Sequence, residues 1–514
     1  MKKKTFAAID VGSHELAMKI FEVSPQTGLK VIDHVRHSLD IGTESYKTGK
    51  LSYEHMEELC HVLREFTLVM RSYKVEDYCA YGTSAIRELD NTIIVLDQIE
   101  KKTGIKVQYL SNSEQRFLDY KSIAAQGEDF YKIISSGTAI LDIGGGSIQV
   151  SLFDKDALVA TQNIRLGVLR LYEKMRYIDV KPSQYQTVLA ELIDTQLAVF
   201  KKLYLKDREI KNLIVVDDYV SAVVKQVYPE VYKKGYIERK KFLENVKLFQ
   251  NKNDMEVAGQ LNMAEENVPL LHISSQLIKS TLEFMGADCL WVPGVTLCDG
   301  IGYDYAERNK WIKPTHDFEE DIIACAKNIS KRYQGSKRRG ETLEKICLTV
   351  FDSMKKIHGL GKRERLLLQI ATLLHDCGKY VNMVSVGECS YHIVMNTEII
   401  GLSHLEREMV ANIVKYNHED FAYYDEIAKD GGIDKDAYLV VAKLTSILRV
   451  ANGLDKTHKQ KFKDIKTTIH ENELWIQVDT AENIALEKGL FWNAARFFEE
   501  VYNIKPVIRQ KRTV

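Results

Sequence analysis

The sequence predicts an α/β protein built as two similar lobes, followed by an all-helical domain and a small α+β C-terminal domain. Three observations carry that expectation. "FAAIDVGS" (Phe6 to Ser13) recurs in outline as "AILDIGGGS" (Ala139 to Ser147), each an apolar strand, an Asp, a hydrophobic residue, then Gly and Ser. Strand-like and helix-like stretches alternate around both copies, the pattern of sheets covered by helices. Beyond about residue 311 the apolar period is helical almost throughout.

Taken in order, the first copy is followed by strand-like "HVRHSLD", helical "YEHMEELCHVLREFTLVMRSY", strand-like "DYCAYGTSA", helical "NTIIVLDQIEKKTG" and strand-like "KVQYLS". After the second copy helices dominate from about Ser183 to Ile278, interrupted by the apolar run "NLIVV". "DCLWVPGVTLCDGIGYDYA" reads as a strand, a turn at Pro293-Gly294 and a closing helix. In "RNKWIKPTHDFEED", Pro314 stops that helix, and Asp317 with Glu320 resembles a capping box opening the next. Helical patterns such as "ERLLLQIATLLHDCGKYV" then run to about Lys459. "KTTIHENELWIQVDT" predicts a hairpin around Glu471-Asn472, "FWNAARFFEEVY" a helix, and "KPVIRQ" a last strand. The expected domains are 1–125, 126–310, 311–460 and 461–514.

The chain has 514 residues, 45% apolar and 28% charged, enough to bury several cores. Its formal net charge of −1 gives no global field toward nucleic acid or membrane. The eight cysteines lack metal-like spacing and read as reduced thiols. No apolar h-region opens the chain, and no segment reads as the roughly 20 apolar residues that cross a bilayer. A cytoplasmic protein without membrane or nucleic-acid partners is expected, and a homodimer is compatible with the sequence. Four basic runs, "ERKKF" (238–242), "SKRR" (336–339), "KTHKQKFK" (456–463) and "IRQKR" (508–512), together suggest a local track for a polyanion.

The two Asp–Gly loops carry the chemical signal. Asp10 and Asp142, at strand ends, are placed to hold Mg²⁺ or its waters. The loops of Gly12 and Ser13, and of Gly144, Gly145, Gly146 and Ser147, offer backbone N–H groups to phosphoryl oxygens.

"AIDVGS", "YGTSAIREL" (81–89), "LSNSEQRFL" (110–118) and "LDIGGGSIQV" (141–150) stand in the order and spacing of the exopolyphosphatase / guanosine pentaphosphate phosphohydrolase family. The chain resembles that family, which lies within the actin, sugar-kinase and heat-shock chaperone superfamily. Its helical part resembles the family's HD-type domain through "LLHDCGKY" and "LTSILRVANGLDKTHKQK". The resemblance implies two actin-like (ribonuclease H-like) lobes, an HD-like domain, and a groove for polyphosphate or a guanosine polyphosphate nucleotide. It implies that Arg87 clamps substrate phosphate and that Glu114 is the general base activating water. The family's loop has one more acidic residue, leaving a register of Glu114 or Gln115; Glu114 is chosen because E-Q-R then overlays the usual E-A-R.

Departures from the family are equally specific. Gln149 stands where a Glu helps hold metal or water, Ser13-His14-Glu15 replaces Ser-Asn-Ser, and Asp217 and Asp218 replace glycines in a third loop. Of the HD ligands, His375, Asp376 and Asp455 are present, but Arg338, Arg339 and Gly340 fall where the first His belongs. A structural or binding helical domain is expected. The first reading is a Mg²⁺-dependent hydrolase of terminal phosphates. The alternatives are a family member that binds such ligands without turnover and, ranked last, a kinase of the same superfold.

Overall fold

The computed structural model describes residues 3–126, 129–154, 157–178, 180–233, 235–250, 252–314, 316–427, 433–462 and 464–511. Lys463 and Arg512 of the basic runs lie outside them. The chain divides into two compact units, Met1–Asp317 and Phe318–Val514.

The first unit contains two sheets of one design. In the first lobe β1 (Lys4–Val11), β2 (Glu15–Ser24) and β3 (Gly28–Ser38) form an antiparallel meander, and β4 (Asp77–Gly82) and β5 (Val107–Tyr109) extend it in parallel from β1, giving the order β3-β2-β1-β4-β5. In the second, β6 (Thr138–Ile143), β7 (Ile148–Asp154) and β8 (Ala157–Ile164) repeat the meander. There β9 (Asn212–Val216), β11 (Cys289–Trp291) and the antiparallel edge β10 (Tyr236–Glu238) complete the order β10-β11-β9-β6-β7-β8. The central strands read as continuous apolar runs because helices cover both faces; Ala7, Ile9 and Val11 belong to one core, and Phe6 and Ala8 to another.

Assignment of residues 126–310 to the second lobe needs one correction. The Leu297–Arg308 helix returns to the first lobe, where Leu297, Ile301 and Tyr305 pack with Phe6, Phe21 and Leu118. Its glycines make that return possible. A Cβ on Gly300 would lie 2.1 Å from the Leu118 carbonyl oxygen, and one on Gly302 would lie 2.9 Å from the Phe21 ring. Ion pairs of Lys19 with Asp299 (2.6 Å) and Lys121 with Asp304 (2.8 Å) flank the contact.

The second unit is helical from Phe318 to Leu454, and β12 (Ile465–His470), β13 (Glu473–Asp479) and β14 (Lys505–Lys511) form its small sheet. The Trp492–Tyr502 helix packs within that unit: Tyr502 Oη donates to the Lys443 carbonyl at 3.0 Å, and Phe497 packs on Phe421. Contrary to the expectation that no segment is long and apolar enough to cross a bilayer, the Lys435–Leu454 helix has that length and a mean hydropathy of 1.3. Of that stretch, 61% is buried inside the protein, and Leu444, Ile447, Leu448 and Val450 are fully enclosed, so it is the unit's core helix. The basic runs are partly internal as well: Arg339 is buried, Phe242 is core, and Lys461 pairs with buried Glu487 at 2.9 Å.

The helix return predicts a contrast between two glycines. Gly300→Ala should lower unfolding stability by about 1–3 kcal/mol through overpacking. Gly259→Ala, in the Asp254–Leu261 helix with open space around it, should be neutral or stabilising by up to about 1 kcal/mol. Urea unfolding of both variants measures the difference.

Candidate functional site

The duplicated strands deliver duplicated turns. Asp10 pairs in register with Ala17 and Tyr81, and Asp142 with Gln149 and Val216, the same place in each sheet. Just beyond, Gly12 N–H donates to the Glu15 carbonyl and Gly144 N–H to the Ser147 carbonyl, each at 3.0 Å. A Cβ at Gly12 would come within 2.6 Å of that Glu15 oxygen, so the turn requires glycine.

The other two glycines of the triplet serve packing between the lobes. A Cβ on Gly145 would lie 2.9 Å from Ser13, and one on Gly146 would lie 2.6 Å from the Tyr46 hydroxyl. That hydroxyl meets Ser13 Oγ at 2.6 Å and Ser84 Oγ at 2.7 Å. The Gly144 and Gly145 carbonyls accept from the first turn of the Val168–Tyr177 helix. Among the described residues, the N–H groups of Ser13, His14 and Gly145 donate to no backbone carbonyl. Cross-lobe contacts of His14 Nε2 with Asn267 Oδ1 (2.9 Å), Arg36 with Asp218 (3.4 Å) and Arg170 with Glu88 (2.7 Å) hold the turns together.

A cavity of about 490 Å³ opens at these turns. Of the residues singled out in the sequence, Asp10, Gly12, Ser13, Asp142, Gly144 and Gly145 line it. Five do not. Glu114 closes a capping box: its Oε2 accepts the Ser111 N–H at 2.9 Å, and Ser111 Oγ accepts the Glu114 N–H at 3.2 Å. Arg87 Nη1 donates to the Leu110 carbonyl at 2.7 Å, and Gly146 lies against Tyr46. The Ser147 carbonyl closes the Gly144 turn, and Gln149 Oε1 accepts from buried Arg116 at 2.9 Å. The Asn112–Ala124 helix instead sends Gln115 and Asp119 to the cavity. Asp119 was not singled out in the sequence. Its signal was an acidic residue four positions after Gln115, on the same helical face and among the apolar Leu118, Tyr120 and Ile123.

The lining is strongly acidic: Asp10, Glu15, Asp119, Asp142, Asp217 and Asp218 face it. Arg36 opposes them, donating to Glu15 at 2.5 Å, while burial pushes His34 down to about 4 and leaves it uncharged at neutral pH. Burial, then the charges of Asp218, Glu15 and Asp142, push Asp10 up to about 8. Burial pushes Asp217 up to about 7 against hydrogen bonds from Val220 N–H (2.5 Å) and Ser274 Oγ (2.8 Å). Asp119 is raised well above its ordinary value by burial and by the neighbouring Asp142.

Asp10 Oδ1, Gln115 Oε1, Asp119 Oδ2 and His14 Nδ1 are buried without a hydrogen-bond partner. Orphaned acceptors beside paired carboxylates fit a hard divalent cation. Among the described residues no group of three or more His, Cys, Asp or Glu side chains is placed to hold a metal alone. Mg²⁺ typically takes one or two carboxylates and completes its shell with water and substrate phosphate, which suits Asp10 and Asp142.

A pair of lobes of like topology, each with an Asp–Gly turn, thus meets at one shared cavity. The Ppx/GppA phosphatase family matches residues 19–309, and its domain III matches residues 323–493. The chain belongs to the Ppx/GppA phosphatase family. It is 20% identical to a guanosine-5'-triphosphate,3'-diphosphate pyrophosphatase of Vibrio atlanticus over 497 residues, 94% of this chain and 95% of that one. It is 24% identical to exopolyphosphatase 1 of Mycobacterium tuberculosis over 191 residues, 37% of this chain and 54% of the relative. Among solved structures, an exopolyphosphatase from Cytophaga hutchinsonii shares its fold with a TM-score of 0.53 at 18% identity, covering 61% of this chain and all of that one. The Aquifex aeolicus family member gives a TM-score of 0.51 at 19% identity, over 62% of this chain and 100% of its own.

The raised carboxylates predict a pH dependence. Asp10 and Asp217 keep protons in the folded chain that the unfolded chain has released, so stability falls as pH rises from about 4 to about 8. In chelator, the melting temperature should drop between pH 5.5 and 8.5. The drop should shrink in an Asp10→Asn/Asp217→Asn variant and on adding Mg²⁺, as followed by calorimetry.

Proposed function

We propose that this chain hydrolyses the terminal phosphoric anhydride of polyphosphate or a guanosine pentaphosphate-like nucleotide in the cavity between its lobes. One observation carries the reading: the two Asp–Gly turns meet at one cavity whose buried acceptors lack partners. The family's relatives that are named pyrophosphatase and exopolyphosphatase support the substrate class. Mg²⁺ held by Asp10 and Asp142 would neutralise phosphate charge amid the six carboxylates.

The chain's own groups supply the rest. Backbone N–H groups of Ser13, His14 and Gly145 stabilise the phosphoryl oxygens as charge develops. Asp119, once its proton has left, accepts a proton from the water that attacks the terminal phosphorus, while the bond to the bridging oxygen breaks. Glu114 keeps the structural task of capping its helix. In the second unit, His375 and Asp376 after the Lys362–Leu374 helix, with Asp455 after Lys435–Leu454, support an HD-like reading.

The second reading is a family member that binds these ligands without turnover. Gln115 favours it, being an amide at the position from which this helix faces the cavity.

Phosphate release from long-chain polyphosphate and from guanosine pentaphosphate, with Mg²⁺ and with chelator, tests the proposal. Asp119→Asn should lower turnover about 10²–10⁴-fold. Glu114→Gln should leave turnover within about twofold and weaken folding by at most about 1 kcal/mol. No release by the wild type, with tight binding of either substrate, would establish the second reading. Full activity in Asp119→Asn would remove Asp119 from the reaction.

A further inference from the structure

The second unit holds a charge cluster that hydrolysis in the cavity leaves unused. Arg339 lies in the first turn of the Lys337–Ser353 helix, and its side chain is buried, as are His375 and Asp455. Its guanidinium reaches four acceptors. Nε donates to Asp455 Oδ2 at 3.1 Å, Nη1 to His375 Nε2 at 2.6 Å and to Asp376 Oδ2, and Nη2 to Asn452 Oδ1 at 2.5 Å.

The histidine's protonation follows from its partners. His375 Nδ1 donates to the Thr372 carbonyl at 2.7 Å, and a guanidinium can only donate, so Nε2 presents its lone pair to Arg339. That is the tautomer and direction an imidazole uses toward a metal ion. The two carboxylates face the same guanidinium, as they would face a divalent cation. Further contacts surround them: Gln460 N–H donates to Asp455 Oδ1 at 2.8 Å, Lys379 Nζ donates to Asp376 Oδ2 at 2.8 Å, and His418 Nε2 lies 3.4 Å from Asp376 Oδ1, which is buried without a hydrogen-bond partner.

We propose that the Arg339 guanidinium occupies, as a cation tethered to the chain, the place of the divalent metal in an HD-type site, so that this unit takes up no metal. The inference rests on the HD-like reading of the second unit. It needs no absent group: His375, Asp376 and Asp455, three of the ligands, are present, and a planar cation with five donors faces all three. A metal bonded to Nε2 and carboxylate oxygens at about 2.0–2.2 Å would overlap the guanidinium nitrogens that now touch those atoms. Arg338, Arg339 and Gly340 fall where the first histidine ligand of such a site belongs, and Arg339 is the one of the three whose side chain reaches the remaining ligands, supplying the charge the ion would have carried. The consequence is that hydrolysis is confined to the cavity of the first unit.

The test uses the full-length chain loaded with Co²⁺ and desalted, with metal content by mass spectrometry, cobalt absorption and melting temperature as readouts. His375→Ala in each background separates cobalt in this unit from any bound in the cavity. The wild type should carry less than about 0.1 Co²⁺ that depends on His375, and its second-unit melting should be indifferent to EDTA. Arg339→Met should lower that melting temperature by about 10 °C, because buried Asp455 and Asp376 lose their countercharge. Arg339→His should gain about one Co²⁺ per chain, lost again with His375→Ala, and should melt higher with cobalt than without. Stoichiometric, His375-dependent cobalt in the wild type would overturn the inference and leave the HD-like reading standing. A folded Arg339→His variant that takes up no cobalt would overturn the HD-like reading, and the inference with it.

Discussion

The cavity of the first unit depends on like charge held where water is scarce. Six carboxylates line it, and the cations nearest them are Arg36 at its edge and Arg116 behind its wall. Removing carboxylates from water without full pairing is costly, and the protein's immediate answer is to keep protons on some of them. Burial and the neighbouring Asp142 raise Asp119, and Asp10 holds a proton up to about pH 8. Such an arrangement is poor as a structural core and well suited to a cationic ligand that displaces those protons.

The fold can sustain that strain because the two turns brace one another. Gly145 lies against Ser13, and Gly146 against a Tyr46 whose hydroxyl bonds Ser13 and Ser84. Glycine in this run therefore serves two ends: the first residue closes a turn, and the next two let the second lobe's loop approach the first lobe's. Returning the Leu297–Arg308 helix to the first lobe adds a covalent and packed link across the cavity, so the paired aspartates stand on a stiff frame.

Much of this was legible in sequence. The repeated strand–Asp–Gly–Ser unit gave the duplicated sheets, because a buried central strand and a tight turn leave few compatible residues. The strands around "NLIVV" and "DCLWV" were legible for the same reason. Side-chain direction was harder. "SNSE" was read for its glutamate's chemistry, yet Ser and Glu three apart ahead of an apolar run also spell a capping box, and the backbone's unsatisfied N–H groups claimed the carboxylate. Asp119 was hidden by its setting, since an acidic residue within an apolar helical stretch is visible as functional only once the partner sheet's aspartate is known to lie opposite it. In the sequence alone Arg339 stands only in place of a histidine and as part of a basic run. Its burial depends on contacts with residues 36 and 116 positions away.

The two units therefore answer the same problem in opposite ways. In the second, a carboxylate pair and a histidine face a buried guanidinium fixed in sequence. In the first, the opposing arginines are too few and too peripheral, and buried oxygens of Asp10 and Asp119 remain unpartnered. A site completed by its own side chain gains permanent order and gives up ligand exchange. A site left short of positive charge retains a stability deficit that only a bound cation, with the phosphate oxygens that accompany it, can relieve. The two acidic clusters therefore differ in charge balance: a buried arginine touches both carboxylates of the second, whereas the six carboxylates lining the first have one arginine among them, Arg36.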